Sequence, residues 1–110
     1  MSYQHGSLAA GRWRQLAFLE QMANVASEVE RALNWRGKHH PAYAARACER
    51  ALELLDLTLA SATTLARLRE LARVREALVD FFFGTNIYAS TDASWRTYFS
   101  AFTYAARRTH

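Results

Sequence analysis

One cysteine, one proline and four glycines are all that this 110-residue chain holds of the residue types that most constrain or most loosen a backbone. The lone Cys48 excludes an intramolecular disulfide and a four-cysteine zinc site, and it fits a reducing compartment. With proline and glycine scarce and alanine, leucine and arginine abundant, little interrupts a helix, so the composition predicts an all-helical chain. No apolar run approaches the ~20 residues needed to span a bilayer. The opening MSYQHGSLAAGRW puts no basic cluster ahead of an apolar stretch and does not read as a secretory signal. A cytoplasmic protein without membrane attachment is the expectation. The formal charge of +4 is carried almost wholly by arginine and is spread along the chain. A nucleic-acid binder more often gathers such charge on one face or tail.

What is present is apolar: 51% of residues, enough for a core without staples, so residues 1–110 read as a single domain. The stretch Leu65 to Gly84 organises the rest. Leu65, Leu68, Leu71, Ala72, Leu78, Val79 and Phe82 recur at three- and four-residue steps and share a face of one helix. Arg75 lies in that face, where an arginine needs an acidic partner or must snorkel to the rim. Gly84 is expected to end this helix in the left-handed conformation.

A first helix is expected from about Ser7 to Arg36, ended by Gly37. Its length of about 45 Å exceeds the later helices, so its start should overhang the body, exposing Trp13 and Phe18. Pro41 suits the first position of a second helix running to about Ala60. Asp56, inside LELLDLTL, is the expected partner of Arg75, with Glu53 next. These three form the predicted structural polar core. Ser61, Thr63 and Thr64 offer an N-cap for the third helix. In TNIYASTD, Ile87 and Tyr88 are too apolar for a free loop and are expected to fold back on the bundle. Ser90 or Thr91 caps a fourth helix from about Asp92 to Arg107. Four helices with short connections give an all-α, four-helix up-and-down antiparallel bundle with a long first helix.

Chemistry-bearing residues are few. His39 and His40 are adjacent, which ill suits joint coordination of one ion, so no metal site is expected. Cys48 falls on the core face of the second helix, where a thiol is packing material. No nucleophile, base and orienting group stand in convincing relation, so the reading leans away from an enzyme, and no cofactor is expected. Arg46 and Arg50, with Arg69 and Arg73, form two i,i+4 pairs, but Glu49, Glu53, Glu70 and Glu76 interleave with them as on a mixed solvated face.

Nine of the fourteen aromatics lie between Phe81 and Tyr104. Their helical spacing suits a core, and with Arg96, Arg107 and Arg108 it would also suit a base-stacking platform. Phe81, Phe82 and Phe83 point three ways around a helix, so one must face outward. Exposed apolar surface marks partner sites, and Trp13, Phe18, Phe81, Tyr88 and Trp95 are the candidate interaction surface.

The segments ERALELLDLTLA (from Glu49), LARLRELARVREALVDFFFGTNIYAS (from Leu65) and YFSAFTYAARR (from Tyr98) resemble a family of small, uncharacterised bacterial all-helical proteins. The resemblance implies no particular activity or site residue. A more distant similarity is to the HEPN superfamily and to nucleotidyltransferase substrate-binding bundles. It implies a bundle that often dimerises, and ribonuclease activity in some members. Those members carry an arginine, four to six residues and a histidine on a late helix. Here Arg96 has no histidine after it until His110, and Arg36 to His40 spans only three residues. The favoured function is a non-catalytic helical interaction module that forms a homodimer or binds a protein partner. The alternative is a HEPN-like nucleotide- or RNA-binding bundle.

Overall fold

A computed structural model describes Trp13 and residues 16–108. Four helices run through it: α1 (Phe18–Gly37), α2 (Pro41–Ser61), α3 (Leu65–Phe83) and α4 (Asp92–Arg108). No strand occurs among the described residues, and the four helices form the expected all-α bundle. α1 packs closely on both α2 and α4, and α3 packs closely on α2. α4 reaches α3 through longer side chains, including the Tyr98 hydroxyl, which donates to Glu70 Oε2 at 2.7 Å. The core joins Met22, Val25, Val29 and Leu33 of α1 to Leu54 and Leu55 of α2. Leu71, Val74, Leu78 and Phe81 of α3 and Trp95 and Phe99 of α4 complete it.

The start of the chain departs from the expected long first helix. Ala17 is extended (φ −62°, ψ 152°), and α1 begins only at Phe18. Trp13 is buried in the core rather than carried on an overhang. Its indole Nε1 donates to Thr58 Oγ1 at 3.1 Å, and the Thr58 hydroxyl donates in turn to the Leu54 carbonyl at 2.9 Å. Gln21 Nε2 donates to the Trp13 carbonyl at 2.9 Å, beside the Leu16 N–H that the same carbonyl accepts at 3.0 Å. Burying an indole and pairing its N–H outweighs prolonging a helix into water. The rest of the expected segment from Ser7 lies outside the described residues.

Local chemistry explains the other boundaries. Gly37 is the last residue of α1, but the left-handed residue is His39, at φ 61°. The His40 N–H donates to the Trp35 carbonyl and the His39 N–H to the Arg36 carbonyl, the double closure of a Schellman motif. Pro41 opens α2 as expected. Thr64 Oγ1 caps α3 by accepting from the Arg67 N–H. Thr91 and Ser94 cap α4 reciprocally, each hydroxyl accepting the other's backbone N–H at 2.9–3.0 Å.

α3 is rotated from its expected face. Leu71, Val74, Leu78 and Phe81 are buried, whereas Leu65, Leu68 and Ala72 are exposed. Arg75 does pair with Asp56, its Nε donating to Oδ1 at 2.7 Å, but the two side chains remain 38% and 32% exposed. The pair therefore clamps α3 to α2 at the rim and not within the core. Of the three expected polar-core residues only Glu53 is buried.

Candidate functional site

The most elaborately built segment outside the helices is the loop from Gly84 to Thr91. Asp80, in the last turn of α3, anchors it. Its Oδ1 accepts the Ile87 N–H and its Oδ2 the Tyr88 N–H, both at 3.0 Å. Its backbone carbonyl accepts from Gly84 and Asn86. Gly84 is extended (φ −107°, ψ −154°), so left-handed freedom is not why glycine stands there. A Cβ at Gly84 would lie 3.0 Å from the Asp80 carbonyl oxygen and 3.3 Å from Oδ1, so a side chain there would have to push the Asp80 backbone aside. Asn86 takes a positive φ of 58°, and its side chain brackets Ser90, accepting the Ser90 N–H and donating to the Ser90 carbonyl.

This fixed backbone holds apolar side chains in water. Ile87 is 79% exposed, Tyr88 50% and Phe83, just before the loop, 48%. The expectation that Ile87 and Tyr88 pack back on the bundle is thus met by their backbones and not by their side chains. Only the Tyr88 hydroxyl turns inward along the surface, donating to Glu76 Oε2 at 3.1 Å, and that bond raises its pKa above the ordinary tyrosine range. At the far end of α3, Leu65 (61%) and Leu68 are also exposed.

Of the five residues expected on an interaction surface, Tyr88 alone is exposed. Trp13, Phe81 and Trp95 are buried. Phe18 is half-buried between the Phe102 ring and the Arg67 guanidinium, which sits 3.8 Å from its centroid. The three-way splay of residues 81–83 resolves with Phe81 in the core, Phe82 at its margin and Phe83 outward. Phe83 and Ile87, outside the expected five, are exposed. The signal for Phe83 was its place opposite Val74 and Leu78 on the helical wheel.

The remaining chemistry is sparse. Burial pushes the Cys48 thiol up to about 12, assisted by the nearby charge of Glu49, so burial disfavours the reactive thiolate form. Among the described residues no three of His, Cys, Asp and Glu are grouped to hold a metal. The His40 ring packs against Trp35 and Tyr43. An open groove of about 430 Å³ runs between α1 and α4, floored by Val29, Leu33, Trp95 and Phe99. Its charged wall, Glu30 and Arg96, is spent on a mutual ion pair at 3.1 Å. Trp95 Nε1 is buried without a hydrogen-bond partner. Arg31, Arg36 and Arg50 are likewise paired with carboxylates.

Comparison with protein-family models, curated proteins and solved structures finds no match to the chain. No helix among the described residues is long and apolar enough to cross a membrane.

Proposed function

We propose that the protein is a non-catalytic association module that docks through the outer face of α3 and the loop after it. The observation that carries this reading is the loop itself, a hydrogen-bonded frame that holds Ile87 and Tyr88 out of the core beside the exposed Phe83. Ordering a loop costs conformational entropy, and a backbone already ordered spends none of its contact energy on that at the moment of docking. Exposed apolar side chains on such a frame are the composition of a contact patch. Cytoplasmic location and a soluble protein partner, or a second copy, go with this proposal.

The test is mass by light scattering together with affinity capture, on the wild type and on a Phe83→Asp/Ile87→Asp double variant of unchanged helical content. The expected result is a complex, homotypic or with a partner, that the variant loses. A wild-type chain that stays monomeric and recovers no partner overturns the proposal. The HEPN-like nucleic-acid reading predicts RNA binding at low salt, where phosphate contacts are strongest. Pairing of Arg31, Arg36, Arg50 and Arg96 with carboxylates lends it little support.

A further inference from the structure

Resting on that reading, we propose that the partner of the α3 face is α3 of a second copy, paired antiparallel about a two-fold axis. The argument comes from the charges that α3 turns outward. Arg67 lies over Phe18, Glu70 accepts from Tyr98 and Arg75 pairs with Asp56, so these three reach across to the neighbouring helices. Four charges remain on the outward strip: Arg69 and Arg73 in the N-terminal half, Glu76 and Asp80 in the C-terminal half. The two carboxylates hold neutral donors, a tyrosine hydroxyl and two loop amides. Among the described residues none of the four is in an ion pair.

A strip that is basic at one end and acidic at the other complements itself when two copies run in opposite directions. Arg69 then meets Asp80 of the second copy, and Arg73 meets Glu76. The midpoints of both pairs fall at the same place, between Val74 and Arg75, so a single two-fold axis satisfies both contacts and their symmetry mates, four in all. The same register brings Leu65 of one copy to the Phe83 end of the other, covering the two exposed apolar ends of the helix. Ala72, exposed and close to the axis, has no side chain beyond Cβ to hold the helices apart. A parallel pairing would instead set Arg69 against Arg69 and Glu76 against Glu76, which like-charge repulsion opposes. A 19-residue helix gives a strip about 28 Å long, at the small end of specific interfaces, so the dimer should dissociate reversibly on dilution.

Sedimentation or light scattering across a dilution series tests the pairing, with circular dichroism as the folding control. Arg73→Glu alone and Glu76→Arg alone each set like charges together at two symmetric places and should weaken dimerisation by about tenfold or more. Mixing the two variants makes every such contact attractive again. The expected result is a one-to-one heterodimer from two chains that are separately monomeric. A wild-type dimer indifferent to both variants overturns the α3 pairing while leaving the association reading intact. A wild-type monomer at every concentration overturns self-association, and affinity capture then decides the broader reading separately.

Discussion

Cys48 shows how far a single environment can move a residue's chemistry. The thiol is held in its protonated form to about pH 12 by burial, whereas an unfolded chain would ionise it near 9.0. Below pH 9 both states carry the proton and the group is indifferent to pH. Above 9 the unfolded state sheds the proton first, so native stability falls as pH rises toward 12. Urea midpoints measured from pH 8 to 11 should therefore decline, and Cys48→Ala should make the decline shallower. Arg75 illustrates the opposite lesson. Its partner Asp56 could be read from the sequence, because an arginine in an apolar stripe demands an acid on the facing helix. Its depth could not, because α3 carries two adjacent apolar stripes, and periodicity alone does not say which one turns inward. At its observed exposure the pair contributes no more than about 1 kcal/mol.

At the scale of the element, the loop 84–91 is held chiefly by one carboxylate. Asp80→Ala removes both acceptors of the Ile87 and Tyr88 amides and should lower stability by about 1–2 kcal/mol. Hydrogen exchange is the sharper measurement: those two amides should lose protection while the middle of α3 keeps it. Equal loss throughout α3 would mean that Asp80 supports the helix rather than the loop. The helices were legible from the sequence because Pro41, Thr64, Thr91 and the three- and four-residue steps are short-range signals. The loop's frame was not. It depends on an acid four residues before Gly84 receiving amides seven and eight positions onward, a pattern with no periodicity to detect.

For the molecule as a whole, the decisive misreading concerned Trp13. A sequence places an indole on a helical face but does not show that the chain bends at Ala17 to lay it against Thr58. If Trp13 closes the core, Trp13→Ala should cost about 3–5 kcal/mol in chemical denaturation. A shift within half a kcal/mol would return it to the solvent face. The four-helix architecture was legible because composition and turn spacing leave few alternatives. Trp13, Phe81 and Trp95 looked most in need of a partner, and they found one inside the fold.

α1 is the shared neighbour of α2 and α4, and the two contacts make unequal demands on an unfolded chain. Its seam with α2 closes over the tight turn at residues 38–40. Its seam with α4, bridged by Arg36–Asp92 and Arg96–Glu30, joins positions 56 and 66 apart. Closure entropy rises with the length enclosed. The α1–α2 hairpin is accordingly expected to form ahead of the α1–α4 seam, a sequence that folding and unfolding rates of seam variants would check. Substitutions along the α1–α4 seam then act on how quickly the molecule comes apart, and scarcely on how quickly it forms.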